Sequence, residues 1–254
     1  MTTVVLTRRI LLHWRQRPVS IAVTLLFPVL IVLMFGYLFG GAMAVPDGRY
    51  LDFLLPGMLA TTMLFGLESM VTAVTADAAR GITDRIRAMP VSGLAVLTSR
   101  CWADLLNALA GLAVMIAAGL AVGWRPANGP LAMAAALGLL LWLRLAFGWT
   151  GIYLGLLLRT PESAVAVQIL VWPAGFLSSA YVSPSTMPAW LGAAAEWNPL
   201  SATATATRHL LGSPAWTDHS WPATHSVLLA LLWPALLALL FAPLANRQYQ
   251  ALER

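Results

Sequence analysis

The sequence predicts an all-α integral membrane protein with six transmembrane helices, and three observations carry that expectation. Of 254 residues, 59% are hydrophobic and 10% charged, with a mean hydropathy of +0.78; soluble domains average about half apolar and a quarter charged. Apolar runs near the ~20 residues needed to cross a bilayer recur along the chain, without the strict alternation of barrel strands. The arginines are also divided unequally between alternate connections.

The six runs are residues 19–39, 53–76, 104–122, 131–158, 164–182 and 227–244, within a single domain spanning residues 1–254. Every Lys/Arg position is Arg. Eleven arginines fall on one side: Arg8, Arg9, Arg15 and Arg17 in the N-terminal arm, Arg80, Arg85, Arg87 and Arg100 after the second run, Arg159, and Arg247 and Arg254 in the tail. Arg49, Arg125 and Arg208 make three on the other. This bias places both termini in the cytoplasm of a multi-pass protein of the cell membrane, and an even number of crossings preserves it. A net charge of +5 would suit nucleic acid only as a basic face on a soluble fold, so membrane lipids are expected as partners and nucleic acid is not. The single Cys101 excludes an internal disulfide. Arg8 and Arg9 before an apolar run mimic a signal peptide, but the run exceeds the ~7–15 residues of such an h-region.

Each connection has its own character. In the arm, residues 1–18, Leu6, Ile10 and Trp14 share a helical face, with Arg8 and Arg15 roughly opposite. That pattern suits an interfacial helix or a solvated arm carrying topology charge. After the second run, Ile82, Ile86 and Met89 fall at i, i+4, i+7, flanked by Arg85 and Arg87. Asp84 lies toward the start and the arginines toward the end, as the helix dipole prefers. Pro90 stops the helix and Ser92 can cap the next. A short amphipathic helix over residues 81–90 follows, fit either to dock in a groove of another protein or only to carry positive-inside charge. Residues 183–224 hold Trp190, Trp197, Trp216 and Trp221, the enrichment expected at a membrane interface. Residues 189–195 read as one short helix and 201–211 as another, broken at Asn198-Pro199.

Two charges lie within runs. Glu68 is about nine residues, roughly 13 Å, from the cytoplasmic end of its run, and Arg144 about 14 residues, roughly 21 Å. A lone charge at mid-bilayer costs roughly 2.5–3.5 kcal/mol on insertion scales, so each needs a partner or a wet cavity. A Glu68–Arg144 contact satisfies both; the alternative gives Glu68 to a cationic substrate. Asp104, at the edge of its run, is positioned to pair with Arg100 at i, i+4. Gly148, Gly151 and Gly155 share one side of the fourth run and permit close packing. His209, His219 and His225 lack metal-ligand spacing, no nucleophile elbow occurs, and no catalytic or metal site is expected.

The segment Arg-Ile-Arg-Ala-Met-Pro-Val-Ser and its surroundings resemble the ABC-2 type permease family, in particular the daunorubicin/doxorubicin-resistance export permeases. Gly81, Arg85, Ile86, Pro90, Val91 and Ser92 match that family's motif after its second span. Glu196-Trp197-Asn198-Pro199-Leu200-Ser201, followed by Arg208, resembles its signature before the last span. Phe176-Leu177-Ser178-Ser179-Ala180 and Met187-Pro188-Ala189-Trp190 fit as well, so the resemblance covers nearly the whole chain. Asp77-Ala78-Ala79-Arg80 departs from the Glu or Lys-Glu that relatives often carry there.

The resemblance implies a permease subunit of an ATP-driven exporter. Residues 81–90 become a coupling helix whose Arg80, Ile82, Asp84, Arg85, Ile86, Arg87, Met89 and Pro90 contact a cytoplasmic ATP-binding subunit. The arm becomes a connecting helix through Leu6, Ile10, Trp14 and Arg15. Residues 183–224 become an outer re-entrant hairpin centred on Trp197, Asn198, Pro199, Leu200 and Ser201. A second permease copy or paralogue completes the machine. Spans 2 and 5 wall the pathway, with Thr62, Phe65, Gln168 and Trp172 as candidate lining residues. A chain without Lys has no P-loop, so no cofactor is expected here; ATP and Mg belong to the partner. The substrate is an amphiphilic drug or natural product, or alternatively an envelope lipid or glycan. From another class, an ATP-independent secondary transporter would show repeats and midplane ion-coupling groups; a non-transporting membrane anchor is the weakest reading.

Overall fold

A computed structural model describes residues 7, 18–38, 49–87, 92–215 and 220–251. All regular structure among them is helical. In chain order the helices are α1 (Pro18–Leu38), α2 (Tyr50–Ala79), α3 (Ile82–Arg87), α4 (Gly93–Ala121), α5 (Gly129–Leu158), α6 (Pro161–Phe176), α7 (Ala189–Glu196), α8 (Pro199–Leu211), α9 (Trp221–Thr224) and α10 (Ser226–Ala251), with a 3-10 turn at Pro184–Thr186 between α6 and α7. Four of them, α2, α4, α5 and α10, are long and apolar enough to cross a membrane.

Helix α2 is the axis of the bundle. Its consecutive residues Phe53, Leu54 and Leu55 are all fully buried, the mark of a helix enclosed on every side. Helices α1, α4, α5, α6 and α8 pack around it, and α10 closes against α5 and α8. The outer faces are the reverse of a soluble protein's. Leu236, Leu239 and Leu240 on α10 are 55–74% exposed, while Arg144 and Arg208 are buried. Apolar surface outside and charge inside suit hydrocarbon as the solvent.

Small residues set how closely α2 and α5 approach. A Cβ added at Gly151 would lie 2.6 Å from the Leu67 carbonyl oxygen, and one at Gly155 would lie 2.7 Å from Val74 Cβ. Gly148 is looser, with Met70 Cε 3.9 Å away. The backbone of α5 thus rests directly on α2, the packing mode that stands in for hydrophobic association in lipid.

Helix α10 runs to Ala251, beyond the expected end at 244, and two further differences bear on the site. Helix α4 starts at Gly93, where Ser92 accepts a hydrogen bond from the Ala95 amide, so Asp104 lies eleven residues inside it rather than at its edge. Helix α6 ends at Phe176, six residues before the expected end at Val182, and its 16 residues fall short of the ~20 of a full crossing. Helices α7 and α8 occupy the two short segments read from the sequence. Between α2 and α3, Gly81 takes a positive φ of 65°, a turn that glycine makes without steric cost.

Replacing Gly151 by Leu should lower stability by about 1–3 kcal/mol through overpacking. Gly138→Ala on the same helix meets open space and should be neutral or gain up to about 1 kcal/mol. Denaturation of the purified protein in mixed micelles compares the two.

Candidate functional site

Three of the long helices meet at Arg144. Its Nε donates to Asp104 Oδ2 at 2.6 Å and its Nη2 to Asp104 Oδ1 at 2.7 Å, a bidentate pair joining α5 to α4. Its Nη1 donates to the Thr62 carbonyl at 3.0 Å, joining α2. The side chain lies along Gly66, where an added Cβ would collide with Arg144 Nε. Both ionic side chains are nearly buried, at 6% and 10% exposed. Paired forks of this kind are among the strongest hydrogen-bonded arrangements available to a buried charge.

This corrects the expected Glu68–Arg144 contact. Asp104, deep within α4, reaches the guanidinium. The expected Arg100–Asp104 pair is likewise replaced, because Arg100 Nη2 bonds Asp77 on α2. Asp77–Arg100 and Asp104–Arg144 thus stack one turn apart along α4, one pair tying it to α2 and the other to α5.

Glu68 faces α6 instead, where Gln168 Nε2 donates to its Oε1. Phe65, one turn along α2, packs on Trp172 with ring centroids 5.1 Å apart. Trp172 stacks with Phe176 at 6.0 Å and takes the edge of Phe27 from α1 at 6.4 Å. Three of the four expected lining residues, Phe65, Gln168 and Trp172, therefore come together at one seam with Glu68. Thr62 takes a different part: its hydroxyl bonds Leu59 within α2 and its carbonyl serves Arg144.

Asn198 terminates two helices. Its Oδ1 accepts from the Leu200 amide as the N-cap of α8, and its Nδ2 donates to the carbonyls of Ala174 and Leu177 at the end of α6. Orphan groups at both helix ends are satisfied by one side chain. Pro199 occupies the first position of α8, where its missing N–H is not needed. Leu200 and Ser201 are buried, and Ser201 Oγ accepts from the Ser179 amide. Trp197 is half exposed and stacks on Trp221 at 5.8 Å.

Arg208 is a residue whose role the sequence reading missed. Counted there as an outer topology charge, it is 1% exposed. Its Nε donates to Phe53 O at 3.0 Å and its Nη2 to Ala180 O at 2.8 Å. The guanidinium lies 3.8 Å from the Phe53 ring centroid, a cation–π geometry. Gly57 leaves the space, since a Cβ there would meet both Ala180 O and the Arg208 side chain. The signal that could have revealed it is its place on α8: Arg208 is an i+4 neighbour of the buried Ala204 and shares the apolar face with Leu200 and Leu211.

At the opposite end of the bundle, α3 packs against α2. Arg80 and Arg85 are exposed, Ile82 is half-buried and Thr83 is buried. The side chains of Asp84, Ile86 and Arg87, and residues Met89 and Pro90, lie outside the described residues, as do Leu6, Ile10, Trp14, Arg15, Trp216 and His219. Thr7 Oγ1 donates to the Ser99 carbonyl on α4 at 3.3 Å.

An apolar helical bundle with lipid-like outer faces and hydrogen-bonded charges buried inside it is a multi-pass membrane protein, built without a nucleotide-binding motif. Comparison with known proteins narrows this. The family described as ABC-2 type transporter matches residues 2–211. The daunorubicin resistance ABC transporter permease protein DrrB1 of Streptomyces coeruleorubidus is 32% identical over 95% of this chain and 83% of its own. The putative transport permease ycf38 of Pyropia yezoensis is 28% identical over 83% of this chain and 74% of its own, and that of Cyanophora paradoxa 27% over 84% and 74%. The chain belongs to the ABC-2 type transporter family, as a membrane permease rather than a nucleotide-binding subunit.

Two outcomes follow from the pairs and the cap. Asp104→Leu or Arg144→Leu alone strands a buried charge and should destabilise by about 3–5 kcal/mol. The double variant should lose clearly less than the sum, by about 1 kcal/mol or more; additive losses in SDS unfolding would show that the residues are not coupled. Asn198→Ser keeps the cap of α8 but cannot reach α6. Hydrogen exchange at residues 177–183 should quicken in both Asn198→Ser and Asn198→Ala, whereas exchange at Leu200 should quicken only in the alanine variant.

Proposed function

We propose that this chain is the transmembrane permease of an ATP-driven exporter that moves an amphiphilic drug or natural product out of the cytoplasm or inner leaflet. The observation that carries the reading is the 32% identity, across 95% of the chain, to a daunorubicin resistance permease. A separate ATP-binding subunit supplies the energy, with ATP and Mg bound on that subunit. A second permease copy or paralogue completes the transporter.

In this reading the α3 end of the bundle is cytoplasmic and α3 is the coupling helix. Its position supports the role: six helical residues lie between two long helices, with Arg80 and Arg85 exposed beside them. Both termini are cytoplasmic and the chain crosses six times. Helix α1 makes the first crossing. The short α6 makes the fifth, its passage completed by the turn and the α7–α8 hairpin capped at Asn198. ATP binding favours one docked orientation of α3 and shifts the bundle between two states by its differential affinity for them.

The test is co-purification of the permease with the ATP-binding subunit encoded beside it. Ile86→Asp combined with Met89→Asp should remove most of the bound subunit and of the vanadate-sensitive hydrolysis in lipid, while the permease keeps its helical circular dichroism and monodispersity. Equal retention of the subunit by wild type and variant would reject the coupling-helix assignment. Absence of any bound ATPase from wild type would favour an ATP-independent transporter.

A further inference from the structure

Arg208 is buried without a matching charge among the described residues. Its Nε and Nη2 donate to the Phe53 and Ala180 carbonyls, and its guanidinium lies against the Phe53 ring. A guanidinium carries five N–H donors and a full charge. Two carbonyls and a ring face occupy part of the donor set and supply no counterion. The ion pairs found among the described residues, Arg49–Asp52, Arg100–Asp77 and Arg144–Asp104, do not include Arg208. The contrast with Arg144 is direct. Arg144, 5% exposed, is held by both oxygens of Asp104, whereas Arg208 is buried more deeply, at 1%. A buried charge is costly unless it is both paired and hydrogen-bonded.

Arg208 borders a cavity of ≈ 30 Å³ enclosed by the segment after α6, the end of α7, α8 and α9. That is room for about two water-sized particles. Its polar wall is Arg208, Ser179, Ser201, Thr205 and Glu196, and the rest is Pro and Ala. Ser201 Oγ accepts from the Ser179 amide, which leaves its own proton to donate. The Ser179 and Thr205 hydroxyls share one bond at 3.2 Å in which either can donate; when Ser179 donates, the Thr205 proton is left over. Guanidinium and hydroxyl donors from one helix thus border one small space. Glu196 is the acid in the wall, half-buried and not ion-paired with Arg208.

We propose that this cavity binds a small monovalent anion, chloride, as the counterion of Arg208, with Ser201 and Thr205 donating to it. Water can fill such a space but leaves the charge unmatched. A monatomic anion accepts from donors that converge from any direction. Sulfate and phosphate are too large for the cavity and bring a second charge against Glu196. Glu196 opposes the ion electrostatically and keeps its affinity moderate. The bound ion ties α8 to the segments that enclose the cavity. The site goes beyond the exporter reading, which decides only the side of the membrane that it faces.

The test is thermal unfolding of the full-length permease in lipid nanodiscs, with sodium chloride replacing sodium isethionate at fixed ionic strength. Wild type should gain about 3 °C or more in Tm, saturably, as chloride rises to tenfold above its Kd. Bromide should act like chloride, and sulfate should not. Thr205→Val and Ser201→Ala should each raise the chloride concentration at half-effect about fivefold. Glu196→Gln should lower it about twofold or more. Arg208→Leu should abolish the response; if that variant does not fold, the two hydroxyl variants, which keep the guanidinium, still decide. The proposal is overturned by a wild type whose Tm is the same in chloride and isethionate, or by a half-effect concentration unchanged in both hydroxyl variants. It is also overturned if Asp218→Asn creates a chloride response that wild type lacks, which would make Asp218 the counterion. None of these readouts involves the ATP-binding subunit, so failure here leaves the exporter reading intact.

Discussion

Arg144 enters the bundle along the groove left by Gly66 and takes Asp104 with it, and the arrangement of three helices depends on that pairing. A guanidinium in hydrocarbon is tolerable only if its charge is matched and its donors are filled. Asp104 does the first through both oxygens, and the Thr62 carbonyl helps with the second. The geometry requires α4 to present Asp104 at one height, α5 to present Arg144 opposite it, and α2 to show bare backbone between them. Apolar contacts alone would allow these helices to slide or rotate in lipid with little penalty. The ion pair, together with the stops at Gly151 and Gly155, leaves one register.

Much of this was legible in the sequence, and the parts that were not share a cause. Long apolar runs, the cap at Ser92 and the break at Asn198-Pro199 are local signals, and helices begin or end where they say. That Arg144 needs a partner also follows from elementary solvation. Which partner it takes does not, because the estimate depended on where α4 begins. The charges at Arg100 and Asp104 looked like the water-facing edge of a run, yet both are drawn inward by partners on other helices. Helix α6 shows the same effect at its other end. Its apolar pattern continues past Phe176, but Asn198, some twenty residues onward, donates to the last carbonyls and fixes the stop. Arg208 misled for the same reason: a charge count assigns it to water, whereas two backbone carbonyls and the Phe53 ring hold it inside.

The two ends of the bundle are built differently as a result. At the α8 end, Asn198, Arg208 and the Ser179–Ser201 contacts knit α2, α6, α8 and the segment just after α6 through backbone carbonyls and amides. Such contacts tie side chains to main chain, so they fix positions that apolar packing would leave adjustable. Toward the α3 end and in the middle of the bundle the ties are ionic, between whole helices: Asp77–Arg100 joins α2 to α4 near α3, and Asp104–Arg144 joins α4 to α5 further in.

That asymmetry decides where motion can go. A force applied at α3 acts on α2 and α4 directly, and α5 is bound to them by the buried pair and the glycine contacts. These three helices therefore move as a block. Helix α6 is held differently: it packs mainly on α2, touches α5 little and exposes Val165, Ile169 and Leu170 along its other side. Its polar tie to α2 in the middle of the seam is the bond between Gln168 and Glu68, with no ion pair at Glu68 among the described residues. Rings that can restack fill the rest. Packed interfaces switch between discrete arrangements rather than deforming continuously, and this one is closed by rings and a single neutral-amide bond rather than by an ion pair. On the exporter reading, a seam of this kind can yield when α3 is pulled, and ATP binding biases the equilibrium by its differential affinity for the two arrangements.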